Sequence, residues 1–328
     1  MIVLGIESSC DETAAAIYKN GYILSSIVLS QEVHKIYGGV VPEIASREHD
    51  TQITNIVQES LDKADVSLSD IDGIAVTYGA GLMGALLVGL NFAKGLSIAL
   101  NIPFIGVNHL EGHLYASFLS YPKMSYPYLC LLVTGGHTQI WEVSQPGNYI
   151  LHSNTVDDAA GEAFDKLSRF CGFGFPGGPA IQKIGEGGDP SKIELPRPKT
   201  KHAYNYSFSG LKTAATNFLN NLDIDDKVTR ADFAASYQEA IVDSLLSNFV
   251  KAVKDTGVKS ISGGGGVMAN SRLREKMNIF AEEKELNIYL PTPKLSTDNA
   301  AMICVAAQNN LITNDMNIDD VRLNSIIS

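Results

Sequence analysis

The sequence predicts a duplicated α/β protein, in which one succession of strands and helices occurs twice. Three apolar strands separated by polar or glycine turns occur near residues 2–30 and again near 128–155. Helical segments and further strands follow each triplet. The chain of 328 residues is also long enough for about two domains. We therefore expect two lobes, 1–125 and 126–328, with a cleft between them and a terminal helix that packs back on the first lobe.

The elements of the first lobe follow from alternation, turn residues and helical spacing. Strands are expected at IVLGIE, TAAAIYK and YILSSIVLS. The dipeptide Asn20-Gly21 predicts a hairpin between the second and third strands. The remaining elements are helix 41–65, which has Pro42 near its start, strand 71–77, helix 81–100 and strand 103–107.

The second lobe repeats this order with longer helices. After its strand triplet we expect a helix at 160–170, a Gly/Pro segment at 172–179 and a loop to about residue 206. The remaining elements are helices at 210–222 and 230–256, a strand at 258–262, a helix at 269–284, a short strand at 288–290 and a helix at 299–310.

Composition excludes several classes of protein. Apolar residues make up 45% and charged residues 19%, which suits globular cores. The first residues lack the basic flank of a signal peptide, and the apolar stretch 81–100 contains Asn91, Lys94 and several glycines, so we expect a buried helix and no membrane partner. Four cysteines without a C-x-x-C pair favour the cytoplasm.

The charge distribution argues against nucleic-acid binding by the overall field. The net charge is −11. One local exception is a basic island, defined as Lys192, Arg197, Lys199, Lys201 and Lys212, which outnumbers the two acidic residues Asp189 and Glu194. A solvated loop in an acidic protein is the simpler interpretation of this island.

The string NHLEGHL places His109 and His113 four residues apart, directly after a predicted buried strand. On a helix the two imidazoles face the same side, at the strand end where α/β proteins build sites. They form half of a metal site that oxygen ligands from elsewhere would complete. The alternative is a helix face with two hydrogen-bonded histidines.

The same string resembles a zinc peptidase motif, but its glutamate is misplaced. Glu111 lies two residues from each histidine, roughly 160–200° around the helix from both. In the peptidase motifs the glutamate adjoins one of the histidines, on the side of the metal. A peptidase is therefore not supported.

Glycine-rich turns and carboxylates supply the remaining candidates. TGGHT after one strand and GGGG between a strand and a helix expose backbone N–H groups to an anion, although ordinary loops explain either turn alone. No P-loop motif is present. Acidic candidates are Asp11, Glu12, Asp157, Asp158, Glu162, Asp165 and Asp298. Asp158, Glu162 and Asp165 are expected on one helix face, while helix-terminus charge or capping would explain Asp157, Asp158 and Asp298.

Nine ordered motifs resemble one known family. They are IESSCDETAAAI, GGVVPEIASREH, NHLEGHLYA, LLVTGGHTQIW, DDAAGEAFDK, FPGGP, YSFSGLKTA, GGGGVMAN and STDNAAMI. From about residue 2 to 308 the chain resembles the tRNA N6-adenosine threonylcarbamoyltransferases of the bacterial TsaD type, formerly called O-sialoglycoprotein endopeptidases (Gcp). The resemblance implies a duplicated actin/Hsp70-like (ASKHA, ribonuclease-H-like) two-lobed fold with central mixed sheets.

The resemblance also implies an activity and a set of site residues. The activity is transfer of threonylcarbamoyl from threonylcarbamoyl-AMP to N6 of adenosine 37, in tRNAs that read codons beginning with A. The metal ligands would be His109, His113 and Asp298, holding iron or zinc. ATP or threonylcarbamoyl-AMP would contact Leu132, Val133, Thr134, Gly135, Gly136, Asp165, Gly178 and Asn270. Many relatives carry an acidic residue where this chain has Gln182.

We add a mechanistic hypothesis and its alternatives. The metal would act as a Lewis acid, the N–H groups of Thr134–Gly136 would stabilise developing negative charge, and Asp11 or Glu12 would be the base. Expected partners are the tRNA anticodon loop, a TsaB-like paralogue and a TsaE-like small ATPase. The alternatives are a phosphotransferase of the same fold and an ATP-driven binding module.

Overall fold

The computed structural model describes residues 1–202, 204–220 and 229–311. The chain divides into two compact units. One contains residues 1–124 together with the chain from Asp298 onward, and the other contains residues 125–297. The predicted end of one helix at Leu222 lies outside the described residues.

The first unit is built on a five-stranded mixed sheet with the strand order β3-β2-β1-β4-β5. Its elements are β1 (Ile2–Glu7), β2 (Glu12–Lys19), β3 (Tyr22–Ser30), α1 (His34–Tyr37), α2 (Pro42–Ala64), β4 (Gly73–Gly79), α3 (Met83–Leu100), β5 (Phe104–Asn108) and α4 (His109–Tyr115). Strands β1, β4 and β5 are parallel, and β2 and β3 are antiparallel neighbours. The carboxyl ends of the three parallel strands therefore lie at one edge of the sheet.

The predicted hairpin is confirmed, because Asn20 and Gly21 have φ angles of 48° and 96°, as a two-residue hairpin turn with both central residues left-handed requires. Side chains alternate across β1. Leu4 and Ile6 belong to the core formed with α2 and α3, and Gly5 faces the other side of the sheet.

Helix α3 is the one helix in the described part of the chain with the length and composition of a membrane span. Its mean hydropathy is 1.6, and a third of it is buried. A single such helix is weak support for a span, since core helices share these properties. The predicted buried helix holds for one face, which contacts β4 and α2, whereas Leu87 and Ile98 on the other face are exposed.

The second unit repeats the sheet. Its elements are β6 (Tyr128–Val133), β7 (Thr138–Gln145), β8 (Asn148–Ser153), α5 (Ala160–Cys171), α6 (Gly177–Ile184), α7 (Ser209–Asn220), α8 (Arg230–Thr256), β9 (Ser260–Gly264), α9 (Ser271–Glu283), β10 (Asn287–Tyr289) and α10 (Pro293–Ser296). Read from its β8 edge, the second sheet has the order β8-β7-β6-β9-β10, which matches β3-β2-β1-β4-β5 of the first sheet position for position. The predicted duplication is thereby confirmed.

Helix α6 was not predicted, because its sequence GGPAIQKI begins with two glycines and a proline. Pro179 lies in the first turn, where a missing N–H removes no intrahelical hydrogen bond. The buried Ile181 then anchors the helix to the core of this unit.

The chain returns to the first unit through α11 (Ala300–Leu311). This helix is rich in small buried residues and packs on the first sheet. A Cβ atom on Gly5 would lie 2.4 Å from Cys304 Sγ and 2.5 Å from the Ala300 carbonyl oxygen. Gly5 therefore allows the close approach of α11, which fixes the start of this helix beside the carboxyl end of β1.

Candidate metal centre and glycine-rich turns

Helix α4 begins where β5 ends, so its first residue lies at the carboxyl edge of the sheet. The Asn108 side chain caps the helix by accepting the Leu110 N–H at 2.9 Å. His109 and His113 follow on one face, with ring centroids 4.7 Å apart in an edge-to-face arrangement. Both imidazoles are buried, which turns them away from bulk water.

Asp298 reaches these histidines because α4 and α11 pack closely. A Cβ atom on Gly112 would lie 2.9 Å from Ile303 Cδ1 and 3.1 Å from Met302 Cγ, so a larger residue there would displace these side chains of α11. Asp298 Oδ1 lies 3.0 Å from His113 Nε2 and 3.6 Å from His109 Nε2. The structure thus brings the three expected metal ligands together.

Capping does not account for Asp298. The N–H of Met302, in the first turn of α11, donates to Asn299 Oδ1 at 3.0 Å. Asn299 is therefore the capping side chain, and the Asp298 carboxylate is directed to the histidines instead.

The donor set fits a divalent cation. Three ligand atoms, one from each residue, lie within 4.8 Å of one another. Ligands at about 2.1 Å from a tetrahedral metal ion are separated by about 3.4 Å, and Asp298 Oδ1 lies 3.0 Å and 3.6 Å from the two imidazole Nε2 atoms. Imidazole and carboxylate are ligands that iron and zinc both accept. The His113 Nδ1 atom is buried without a hydrogen-bond partner among the described residues, so hydrogen bonding alone does not account for this imidazole.

Glu7, at the end of β1, also belongs to this centre, and the sequence reasoning missed it. Its side chain has no solvent exposure. Glu7 Oε2 lies 3.1 Å from His109 Nδ1 and accepts the Thr77 hydroxyl at 2.5 Å, while Oε1 accepts the Ser9 N–H at 2.6 Å. The available signal was positional, since Glu7, Thr77 and His109 all lie at the carboxyl ends of neighbouring parallel strands.

The electrostatics of the cluster couple its members. Burial opposes charge on His109, but the Glu7 and Asp298 carboxylates outweigh it and raise the pKa of His109 to about 9. Burial likewise opposes charge on Asp298, and the two histidines outweigh it and lower its pKa to about 2. For His113, burial dominates and lowers the pKa. Without a cation the cluster is therefore held together by ionic contacts.

Glu111 lies on the same helix and does not join the cluster of ligand atoms. Because residues His109–Tyr115 form a helix, Glu111 is directed about 160–200° around the axis from both histidines, and a peptidase is not supported.

The turn between β1 and β2 carries Asp11 and Glu12 and is held from three directions. The Ser9 carbonyl accepts the Leu82 N–H at 2.8 Å, and the Asp11 carbonyl accepts the Gln31 N–H at 2.9 Å. Between them, the Cys10 carbonyl lies 3.0 Å from Nε2 of the buried His49, which accordingly donates. The position of the two acidic side chains is thereby fixed by the backbone.

The Glu12 carboxyl lies in a buried environment that other carboxylates surround. Burial, followed by the nearby charges of Asp298 and Asp11, raises the pKa of Glu12 well above its ordinary value. The charged form of Glu12 is therefore disfavoured relative to that of an exposed carboxylate.

In the second unit, the turn after β6 uses its own groups to hold its shape. The Thr134 N–H donates to the His137 carbonyl at 2.8 Å, and the Gly136 N–H donates to Thr134 Oγ1 at 3.2 Å. We expected the N–H groups of Thr134–Gly136 to serve a ligand together, and two of these three have acceptors within the turn. The Gly135 N–H has none among the described residues, and it is the donor available to an anion.

Four contacts connect this turn, in series, to the helices at or beside which the other expected nucleotide residues lie. A Cβ on Gly161 would lie 2.6 Å from the Thr134 carbonyl oxygen, and one on Gly265 would lie 2.3 Å from the Val133 carbonyl oxygen. The Gly177 N–H donates to Asp165 Oδ1 at 2.6 Å, and the Ser271 N–H donates to Gln182 Oε1 at 2.8 Å. The starts of α5, α6 and α9 are therefore linked through one series of neighbours.

The individual residues of this set contribute differently. Leu132 and Val133 are strand residues whose side chains are core. The Asn270 side chain is engaged in the structure, because it caps α9 at Leu273 and donates to Gln238 Oε1 at 2.7 Å. Around Gly178 an added Cβ would meet no atom within 4 Å, so its backbone is open to a ligand.

The acidic run before α5 is arranged differently from our expectation. The helix begins at Ala160, so Asp158 does not share a helix face with Glu162 and Asp165; Asp158 forms ion pairs with Lys166 and Lys212 at 2.7 Å. Asp157 does not serve the start of α5 either. Its carboxylate accepts N–H groups at the start of α7, from Phe208 at 2.8 Å and Ser209 at 3.3 Å. Tertiary contacts, which the sequence does not display, determine both roles.

The cysteines are free thiols. Burial raises the pKa of Cys130 to about 12 and of Cys171 to about 11, which disfavours the nucleophilic thiolate. Cys130 and Cys304 are buried, as predicted for all four cysteines, whereas Cys10 and Cys171 are only partly buried.

The basic island is partly neutralised within the chain. Arg197 pairs with Asp243 at 2.7 Å, and Lys212 pairs with Asp158. Lys192, Lys199 and Lys201 are exposed, so any contact with an anionic partner at this island depends chiefly on these three.

Two sheets of one strand order define a protein of the actin/Hsp70-like (ASKHA) class, as predicted. HypF of T. kodakarensis matches with a TM-score of 0.64 at 12% identity, over 95% of this chain and 47% of that chain. The activator of the 2-hydroxyisocaproyl-CoA dehydratase from Clostridium difficile matches with a TM-score of 0.54 at 16% identity, over 97% of this chain and 100% of that chain. These likenesses show the fold.

The sequence comparisons show the family. The family model for TsaD, tRNA N6-adenosine threonylcarbamoyltransferase, matches residues 22–305. This chain is 50% identical to the protein of that name from Thermosipho africanus, over 93% of both chains. It is 51% identical to the one from Kosmotoga olearia, over 94% of this chain and 92% of that one. The chain belongs to the tRNA N6-adenosine threonylcarbamoyltransferase family. It is a transferase, and the family does not favour the phosphotransferase or the binding module.

Proposed function

We propose that the chain transfers the threonylcarbamoyl group from threonylcarbamoyl-AMP to N6 of adenosine 37, in tRNAs that read codons beginning with A. The single observation that carries this proposal within the family is the convergence of His109, His113 and Asp298 on one point. A fold used by many enzymes does not itself require such a centre, so the centre marks a specific chemistry.

Three residues would hold the metal ion, which we take to be iron or zinc. His109 and His113 offer Nε2 and Asp298 offers Oδ1. When bound there, the ion supplies Lewis acidity for an acyl phosphate substrate. The remaining steps belong to groups of the chain.

The nucleotide half of the substrate, or ATP itself, is assigned to the second unit. The Gly135 N–H would donate to a phosphate oxygen, and the start of α6 at Gly178 presents open backbone. Asp165 supports this position indirectly, because its carboxylate holds the Gly177 N–H.

In the transfer step a bond forms between N6 of adenosine and the carbamoyl carbon. The bond between that carbon and the phosphate oxygen breaks, AMP leaves with the electron pair, and N6 loses one proton. We assign the proton to Asp11 or Glu12, the two acidic side chains that follow β1. The adenine must be unstacked to be reached, which suits an anticodon loop.

Association with a TsaB-like paralogue and a TsaE-like small ATPase is part of the proposal, as is a cytoplasmic location. The net charge of −11 supports a need for partners in tRNA binding, because the chain's overall field repels nucleic acid.

The test is a reconstituted reaction with tRNA, threonine, bicarbonate, ATP, the enzyme that makes the adenylate and both partners. Nucleoside analysis should detect threonylcarbamoyl adenosine with the wild type and none with Asp298→Ala. A metal-loaded wild type that makes no modified adenosine would contradict the proposal.

A further inference from the structure

We propose that Glu7 is a positioning residue for the metal centre, holding the His109 ring so that Nε2, and not Nδ1, faces the cation. This inference rests on the proposed metal site and adds a residue that does not itself touch the metal.

The first support is the geometry of the two ring nitrogens. His109 Nδ1 lies 3.1 Å from Glu7 Oε2, and Nε2 of the same ring lies 3.6 Å from Asp298 Oδ1. A carboxylate only accepts hydrogen bonds, so Nδ1 carries the proton in this contact. In the metal-bound ring the Nε2 lone pair is then the one available.

The second support is that burial and hydrogen bonds hold the Glu7 carboxylate in one orientation. It is fully buried, its Oε1 accepts the Ser9 N–H at 2.6 Å, and its Oε2 accepts the Thr77 hydroxyl at 2.5 Å. Strand β4 lies between β1 and β5, so Thr77 is on the strand between Glu7 and His109. Its hydroxyl can therefore hold the Glu7 carboxylate where it reaches the His109 ring. The His109 orientation is thus built into three adjacent strand ends.

The two histidines differ in this respect. His113 Nδ1 is buried and has no hydrogen-bond partner among the described residues, whereas His109 Nδ1 has a carboxylate. Of the two ligand histidines, His109 is therefore the one whose second ring nitrogen is held by a carboxylate, and that carboxylate belongs to Glu7.

Substitution of Glu7 by glutamine tests this with little change in shape. The Ser9 backbone N–H can only donate, so the glutamine oxygen must stay on it to avoid two opposed donors. The new NH₂ group then faces His109 Nδ1 and favours the ring form with its proton on Nε2, which cannot bind the metal through that atom. We expect the Zn²⁺ affinity of the full chain to fall about 10–100-fold.

The measurement is Zn²⁺ titration against a competing chelator for wild type, Glu7→Gln, Ser9→Ala and Glu142→Gln. Ser9 Oγ also lies 3.1 Å from His109 Nδ1, so Ser9→Ala asks whether the hydroxyl is the true partner. Glu142→Gln is the matched control, because Glu142 Oε2 lies 2.7 Å from His152 Nε2 in the second unit. We expect only Glu7→Gln to lose affinity strongly.

A second readout is independent of affinity and of transfer activity. Nitrogen-15 NMR of the Zn²⁺-loaded wild type should show a protected proton on His109 Nδ1, and that signal should shift or exchange rapidly in Glu7→Gln. Thermal unfolding of each variant checks that it folds. If Glu7→Gln fails to fold, Thr77→Val, which removes one support of the carboxylate, should weaken Zn²⁺ binding by a smaller factor.

The outcomes separate this inference from the proposed function. Wild-type Zn²⁺ affinity and an unchanged Nδ1 proton in a folded Glu7→Gln would overturn the role of Glu7. Unchanged affinity in Thr77→Val would do the same if Glu7→Gln does not fold. Loss of Zn²⁺ binding in His113→Ala would show in either case that the metal site itself exists. A loss confined to Ser9→Ala would assign the role to the hydroxyl. A wild type that binds neither Zn²⁺ nor Fe²⁺ would overturn both the role of Glu7 and the proposed metal site.

Discussion

Asp298 Oδ1 lies 3.0 Å from His113 Nε2, although 185 positions separate the two residues in the chain. The contact exists because the chain leaves the first unit after Met124 and returns to it at Asp298. The returning helix α11 then packs against α4 at Gly112. The residues between these two points form the second unit, so the metal centre combines ligands from the two separate segments of chain that make up the first unit.

Replacing Asp298 by alanine should remove metal binding and transfer together. The change deletes one of three ligands and removes one of the two carboxylates, Asp298 and Glu7, that stabilise charge on the buried His109. We expect Zn²⁺ affinity to fall by at least about 100-fold, measured by chelator competition. Asp50→Ala, an exposed position on α2, is the control and should bind as the wild type does. Full transfer by metal-free Asp298→Ala would contradict the role.

A methyl group on Gly136 should separate folding from nucleotide binding. An added Cβ there meets no atom within 4 Å, so the fold tolerates it. The free energy of unfolding should change by less than about 0.5 kcal/mol. If a nucleotide phosphate approaches this backbone, the methyl group should weaken ATP or AMP binding about tenfold in calorimetry.

The control for Gly136→Ala is Gly95→Ala in α3, where the Cβ also has open space. It should leave nucleotide binding unchanged and stabilise its helix by about 0.5–1 kcal/mol. Equal nucleotide affinity in both variants would remove the turn after β6 from the binding site.

The sequence predicted the elements well where local signals were sufficient. Asn20-Gly21 predicted its hairpin because left-handed φ angles are needed there, and the spacing of His109 and His113 predicted one shared face. Helix α6 was missed because its stability comes from Ile181 in the core, while its first residues resemble a loop.

Contacts between distant segments could not be predicted from spacing. Glu7 appears in the sequence as one polar residue at the end of an apolar strand, and only the strand order β1-β4-β5 brings it to His109. Asp157 was interpreted as a charge at the start of α5, yet it caps α7 about fifty residues later. Asp298 itself was assigned to the metal from a family resemblance, and no local pattern distinguishes it from a helix cap.

Acid should destabilise the first unit through His49. Its Nε2 donates to the Cys10 carbonyl at 3.0 Å, and in the neutral ring its Nδ1 accepts the Thr13 hydroxyl at 2.7 Å. Burial, opposed only in part by its partners, lowers the pKa of His49 below 6.5. Below pH 6.5 His49 becomes protonated in the unfolded chain before it does in the folded chain. The free energy of unfolding therefore falls as the pH drops.

His49→Gln isolates this effect, because glutamine can make both hydrogen bonds and does not titrate. Between pH 7 and pH 5, urea unfolding of the variant should lose less stability than the wild type, by up to about 1.4 kcal/mol per pH unit. Thr13→Val, which removes a hydrogen bond and no titrating group, should lower stability by a similar amount at both pH values. An unchanged pH slope in His49→Gln would show that His49 is not the linked group.

Neutralising the exposed part of the basic island should weaken tRNA binding by the assembled enzyme. Lys192, Lys199 and Lys201 are exposed, whereas Arg197 and Lys212 are held in ion pairs. Each lysine that contacts a phosphate releases about 0.7–0.9 counterion, so replacing all three by glutamine should reduce the slope of log K against log salt by about 2–3. Filter binding from 50 to 200 mM salt measures both changes, with Lys19, Lys63 and Lys123, also exposed, replaced together as the control. Both variants lose the same net charge, so an equal effect would trace the loss to the overall field and remove the island from the tRNA contact.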